Sequence, residues 1–345
     1  MMVVDTLTQM ASQSKNPSAV TVRRLKDAPI VEAGSVAGYG SIFNAGAIHY
    51  NGTFHLFARG VREGHTRNPG RHGPRFLRYI SDVLVFTSED GIDYQFQQVL
   101  AKGSARGVHS YEDPRVQTIR NGSGDHVMMT YTNLPDPRSG RPWQIGIHRL
   151  AYADGRFALN RTSGRVIGPP GWPDKDAVVF KLRDERVAMI HRIQPNMQLA
   201  LFDSLEELRN SGAEYWDEHM RELDRHTIIS PGPGALGVGA GAPPVATEEG
   251  LLLFFHERTA ENQYTLNVAL LDDETGRVKS KLDEPIMRAE LPWERIGDVD
   301  DVVFVQGAVP RPDGTIYLTY GAADRCVGAA SVVASEVLDA LRVAT

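Results

Sequence analysis

Ionisable side chains recur at one point of a repeating pattern in this chain. Five segments share a design: a small-residue or acidic cue, a short apolar strand, a polar turn and a second apolar strand. The cues bring Asn44, Glu112-Asp113, Lys175-Asp176 and the acidic run Asp298, Asp300 and Asp301. The far ends of the second strands bring Arg59, His191, His256 and Tyr320. Carboxylates in such a set can move protons in general acid–base chemistry. Arg59, Lys175 and His191 together can hold a dianion, because charge-assisted bonds to phosphate favour Arg forks and Lys. A pocket mixing these groups on apolar strands is costly unless it binds something polar. Their convergence carries the functional signal more than any one of them.

Asp113 is followed by Pro114 and Arg115. Proline fixes the backbone and removes a donor, so the segment starts a strand. Arg115 can hold one carboxylate charged while the neighbouring acid stays protonated; a purely structural ion pair at a blade edge is the plainer alternative. Residues 62–78 carry Arg62, Arg67, Arg71, Arg75 and Arg78 with His65 and His72 among glycines. Loops of this length are usually functional lids or disordered segments. A basic lid over an anionic or sugar ligand and a solvated inter-blade loop both fit. Glu63 is the one carboxylate near the two histidines and no thiolate is at hand, so no metal is expected there. Gly237-Val-Gly-Ala-Gly-Ala-Pro-Pro reads as a tight strand entry, not a dinucleotide fingerprint.

The elements that must position these residues follow from the period. Taking Gly46, Asp113, Asp176, Pro243 and Gly307 as equivalent, the segments repeat about every 65 residues and nearly fill the chain. Weaker strand pairs lie between them, such as Ser81-Asp-Val-Leu-Val-Phe-Thr and Leu266-Asn-Val-Ala-Leu-Leu. Two hairpins per period make a four-stranded propeller blade, whose faces only stacking against neighbours can bury. The expected fold is therefore all-β, a five-bladed β-propeller with short terminal helices, rather than a sandwich with accidental spacing. Residues 36–345 are expected to form the propeller and residues 1–35 an N-terminal extension. A helix over residues 5–14 would offer an oligomer contact. Short helices are expected at residues 204–211, with Ser204 as N-cap, and at residues 332–343.

The chain has 345 residues, 43 acidic and 37 basic, for a formal net charge of −6. That balance argues against a nucleic-acid surface. Cys326 is the only cysteine, which excludes an internal disulfide and a multi-Cys zinc site, and a buried inert thiol is expected. Neither a secretory signal nor a membrane-spanning run is apparent, so a cytoplasmic location is expected.

Taken together, the segments resemble glycoside hydrolase family 130, the mannoside phosphorylases and related β-mannosidases. The resemblance rests on Asn44-Ala-Gly-Ala, Arg59, Tyr111-Glu-Asp-Pro-Arg115, Lys175-Asp-Ala-Val-Val-Phe180, His191-Arg192, Gly239-Ala-Gly-Ala-Pro-Pro244, Glu294-Arg-Ile-Gly-Asp298 and Tyr320-Gly-Ala-Ala-Asp324. It implies a five-bladed propeller and inversion at the anomeric carbon of a β-mannoside. By it, Asp113 is the general acid, delivering its proton through a sugar hydroxyl. Arg59, Lys175 and His191 are the phosphate-holding positions, and Arg138 or Arg141 is a further one. Asn44, Arg115 and Asp298 look like sugar-contacting positions, and Glu112, Asp176 and Asp324 join them in the expected substrate-binding set. No cofactor is expected, since inorganic phosphate is a co-substrate and its own nucleophile. The product would be α-mannose 1-phosphate. A β-mannosidase that uses water and a non-catalytic glycan-binding propeller are the alternatives. Two departures stand out: Asp300-Asp301 where the family commonly has Pro-Asn, and the Arg-rich loop.

Overall fold

The computed structural model describes residues 20–70, 75–104, 107–121, 124–160 and 162–344. Five antiparallel sheets surround an axis. Blade 1 is built from Tyr39–Tyr50, Thr53–Arg62, Ser81–Ser88 and Gln95–Ala101, from the inside out. Blade 2 uses Ser110–Asn121, Gly124–Leu134, Gln144–Ala153 and Arg156–Leu159. Blade 3 uses Lys175–Lys181, Val187–Arg192, Met197–Phe202 and Thr227–Ile229. In blade 4 the inner strand is split into Gly237–Ala240 and Val245–Thr247, followed by Gly250–Arg258, Tyr264–Leu271 and Val278–Lys281. Blade 5 has Val303–Pro310, Thr315–Ala322 and Cys326–Val333, and its fourth strand is Arg23–Arg24.

That last pairing, Arg23 with Ser331 and Arg24 with Ala330, joins the two ends of the chain and closes the ring. Val31 bridges Val327 in the same blade. Residues 20–35 thus belong to the propeller and not to a separate extension. A two-residue strand is too short to show any alternation, which is why the sequence did not reveal it. The expected helix over residues 5–14 lies outside the described residues.

Each blade is buried on both faces, and five apolar clusters fill the gaps between neighbouring blades. Strand parity distributes side chains between them. In Gly250–Arg258, Leu252 and Phe254 pack toward blade 5, while Leu253 and Phe255 pack toward blade 3. Burial on both sides explains the uninterrupted run Leu251-Leu-Leu-Phe-Phe255. The helices follow their caps. Leu205–Asn210 starts where Ser204 Oγ accepts the Glu207 N–H at 3.1 Å. Ala334–Val343 buries Val337, Leu338 and Leu341 against blades 4 and 5. The sequence reading missed Ala213–Arg221, a helix that buries Trp216 and His219. No helix among the described residues is long and apolar enough to cross a membrane.

The inner strands share a defect that points side chains at the axis. Their pairing shifts register at Phe43/Ala45, Glu112/Arg115, Lys175/Val178 and Val305/Gly307. Asn44, Asp113 and Asp176 sit at these bulges with φ of 48°, 52° and 57°. Asn and Asp tolerate this left-handed conformation better than other non-glycine residues, and a bulge re-aims the side chain it carries. Together with Gln306 and the strand break at Gly241, these positions mark the true repeat, spaced 63 to 69 residues. In blade 1 the equivalent residue is Asn44, two before Gly46.

Candidate active site

The bulge residues Asn44 and Asp113 line a cavity of about 880 Å³, a size typical of small-molecule sites. Arg115 forms the floor. Its guanidinium is fully buried and crosses the axis to Gly241 O at 2.8 Å and Ala240 O at 2.7 Å. It also donates to Asp113 O and to Asp176 Oδ1, both at 3.1 Å. Arg115 and Asp176 therefore support the cavity from beneath and do not line it. Asp176 Oδ2 lies 3.0 Å from Arg192 Nη1 and 3.5 Å from His256 Nε2. Burial opposes ionisation of Asp176, yet Arg192 and Lys175 hold its carboxyl well below the usual range. Burial pushes His256 down to about 4, so its ring is neutral near pH 7. Gly239 makes room for this pair: a Cβ there would lie 2.5 Å from Asp176 Oδ2 and 2.6 Å from the His256 ring.

Above the floor, Asp113 is 3% exposed. Its Oδ1 accepts from Asn44 Nδ2 at 2.8 Å and from Arg59 Nη1 at 3.1 Å. Arg59 is held between the Phe43 and Tyr79 rings, 4.8 and 5.1 Å from its Cζ, and its other nitrogen donates to Glu112. Burial would raise Asp113, but Arg59, Lys175 and Arg115 outweigh it and hold the carboxyl below its ordinary value. In Glu112 the balance is reversed, and burial raises it despite Arg59. Asp324, on the cavity wall, is pushed up to about 6, again by burial against the pull of Arg59. Gly321 admits Asn44, whose Oδ1 would lie 1.8 Å from a Cβ there.

The basic groups in the deep cavity are Arg59, Lys175 and Arg192, with His256 beside them. Two of these were not in the expected phosphate set. His191 was, and the structure places it elsewhere: it is fully buried and does not line the cavity. Its Nδ1 lies 2.8 Å from Asp174 Oδ2 and its Nε2 3.1 Å from His219 Nε2. One step along a strand reverses the face. His191 follows Val187 and Met189 into the gap toward blade 2, where it meets Trp216, and Arg192 turns to the cavity. Counting that alternation in Val187–Arg192 would have found Arg192.

Arg138 lines the outer wall, but its side chain is 87% exposed and pairs with Asp136 at 2.7 Å. It stands apart from the deep cations, and Arg192 is the further arginine found there. Asp298 also lies off the cavity, accepting from Ser41 Oγ at 2.9 Å and pairing with His65 at 2.9 Å. Neither Asp300 nor Asp301 lines the cavity. Of the Arg-rich loop, Arg75 and Arg78 reach the wall with Phe76, Leu77 and Tyr79. Arg62 instead pairs with Asp82 at 2.8 Å.

Several buried polar atoms here have no hydrogen-bond partner among the described residues. They include Asn44 Oδ1, Arg59 Nε, Thr132 Oγ1, Arg192 Nε and His256 Nδ1. Buried polar groups are rarely left unpaired in folded proteins. Five such residues around one cavity mark a site built for a polar, hydroxyl-rich or anionic ligand.

Comparison with known proteins identifies the family. Residues 13–343 match the sequence profile of the family described as beta-1,4-mannooligosaccharide phosphorylase. A 1,2-beta-oligomannan phosphorylase from Thermoanaerobacter sp. is 30% identical, over 90% of this chain and 97% of its own. A beta-1,2-mannobiose phosphorylase from Listeria innocua is 38% identical, over 79% of this chain and 72% of its own. Among solved structures, a beta-1,2-mannobiose phosphorylase from Listeria innocua in complex with beta-1,2-mannobiose superimposes with a TM-score of 0.74 at 21% identity. That match covers 93% of this chain and 99% of the other. A profile match over nearly the whole chain, and a relative aligned almost end to end, establish that the chain belongs to glycoside hydrolase family 130.

Proposed function

We propose that the protein catalyses inverting phosphorolysis of β-mannosides, releasing α-mannose 1-phosphate. One observation carries the reading: Arg59, Lys175 and Arg192 line the same deep cavity as the buried carboxyl of Asp113. Inversion requires a nucleophile arriving on the sugar face opposite the leaving group. Phosphate needs no base, only cations that hold it in line and offset its charge. In this reading a phosphate oxygen attacks the anomeric carbon. The glycosidic C–O bond breaks, and its oxygen takes a proton that originates on Asp113, relayed by a sugar hydroxyl. Asn44 and Arg59 orient the Asp113 carboxyl, and Thr132, His256 and Asp324 offer contacts to hydroxyls. The relatives named for β-1,2 linkages make β-1,2-mannobiose the first substrate to try.

Water as nucleophile is the competing reading, and Asp324 is the observation in its favour. A carboxyl near 6 on the same cavity wall has the character of a general base. Incubating the protein with mannobioses of each linkage, with and without phosphate, separates the two. Cleavage that requires phosphate supports phosphorolysis. Mannose release that phosphate leaves unchanged contradicts it and favours hydrolysis.

A further inference from the structure

Asp174 does not itself line the cavity, yet three bonds tie it to the elements around it. It is 1% exposed and stands immediately before Lys175. Its backbone N–H donates to Trp143 O at 3.1 Å, which fixes the segment that carries the Trp143 wall of the cavity. Its Oδ1 accepts the Arg192 backbone N–H at 3.1 Å. Its Oδ2 meets His191 Nδ1 at 2.8 Å. Lys175 and Arg192 are direct cross-strand partners, and both line the cavity.

The chain of contacts continues to His219, 3.1 Å from His191 Nε2, on the helix Ala213–Arg221. Burial, with His191 and His226 beside it, lowers His219 to about 3, so it is neutral at ordinary pH. A neutral His219 can donate from Nε2 to His191, which then holds its own proton on Nδ1 for Asp174. This ordering gives every contact a donor and an acceptor. It also ties the Asp174 side chain to the root of the strand pair that presents Lys175 and Arg192.

We infer that Asp174 is a positioning residue for the phosphate site, with His191 and His219 fixing its carboxylate so that the paired strands hold Lys175 and Arg192 at one spacing. The inference rests on the phosphorolysis reading for its ligand, and goes beyond it by assigning work to a buried Asp–His–His network. Two rigidly spaced cations favour a compact dianion over a neutral sugar. Loss of the network should therefore act on phosphate selectively.

Asp174→Asn keeps the size of the side chain but removes its charge and its second acceptor. Phosphate binding to the substrate-free protein is measured by titration calorimetry, alongside steady-state kinetics in phosphate and in mannoside. The expected result is a phosphate Kd and KM raised about tenfold, with the mannoside KM within about twofold, by analogy with the loss seen when the outer partners of metal ligands are removed. His191→Asn retains a donor at the Nδ1 position and should keep phosphate affinity near wild type, whereas His191→Ala should lose it as Asp174→Asn does. Melting temperatures establish that each variant is folded, and the His191 pair gives the same reading if Asp174→Asn does not fold. An unchanged phosphate Kd, or phosphate and mannoside constants that move together, would overturn the inference. Wild-type protein that fails to bind phosphate would instead refute the phosphorolysis reading beneath it.

Discussion

A carboxyl that Arg59 and Lys175 hold ionised is poorly prepared to donate a proton, so phosphate must change its state. The deep site contains Arg59, Arg115, Lys175 and Arg192 against Glu112, Asp113, Asp176 and Asp324, four basic groups and four acidic ones. A dianion added to that balance leaves an excess of negative charge, which a carboxyl can relieve by taking up a proton. The size of the effect follows from the Arg59–Asp113 contact at 3.1 Å. With charge centres about 4 Å apart and an effective dielectric near 20, the attraction is about 4 kcal/mol. Offsetting even a third of it, about 1.4 kcal/mol, moves the protonation equilibrium tenfold. The direction is fixed: Asp113 lies below its ordinary value because of these cations, so screening them raises it and binding must consume protons. Binding should therefore weaken as pH rises through the window of uptake. Sulfate is the cleaner probe, because it stays a dianion throughout. Calorimetry at pH 6 in buffers of different ionisation enthalpy counts the protons. Asp324, near 6, should contribute up to about half a proton at that pH. Asp324→Asn should remove that share, and Asp113→Asn or Glu112→Gln should remove the remainder, since the two carboxyls titrate as a pair. Binding with no proton uptake at pH 6 would refute the reasoning, as would uptake that survives all three substitutions.

Asp113→Asn should lower kcat by at least 10² to 10⁴, the usual worth of a general acid, with melting temperature and circular dichroism close to wild type. Lys175→Ala should raise the phosphate KM about tenfold or more while the mannoside KM moves little, because a charge-assisted bond is worth about 1.5–3 kcal/mol; steady-state kinetics in both substrates checks this. Gly239→Ala drives a methyl group against Asp176 and His256. It should cost about 1–3 kcal/mol of stability by overpacking, read as a lower melting temperature.

The fold was legible because blades buried on both faces leave long apolar runs, and these runs recur at nearly constant spacing. The axial acids and bases were legible for the same reason: they interrupt those runs at matching places. What escaped the sequence reading turned on steps of one or two residues. His191 and Arg192 differ by one step in a strand, and that step decides which faces the cavity. Bulges at Asn44, Asp113 and Asp176 insert a residue and change parity locally, so simple alternation does not carry through them. Arg138 follows the strand that ends at Leu134, and spacing alone does not say where a loop side chain points. His256 was visible as a strand-end histidine but had no assigned role. Its signal was the Gly239 opposite it, a glycine in a strand marking close approach of another group. Asp174 gave no sign, because its partners come from the His191–Arg192 end of another strand of blade 3 and from the Trp143 segment, and the network continues through His191 to a helix that the pattern did not suggest.

Phosphate as the nucleophile, with Asp113 as the source of the proton, is the central claim. The most direct test is NMR of the first turnovers with β-1,2-mannobiose and inorganic phosphate, following both phosphorus and anomeric proton signals. The account predicts α-mannose 1-phosphate as the first product from wild type, formed only when phosphate is present and lost in Asp113→Asn. Free mannose appearing at the same rate with and without phosphate, or a β-configured phosphate ester, would contradict it.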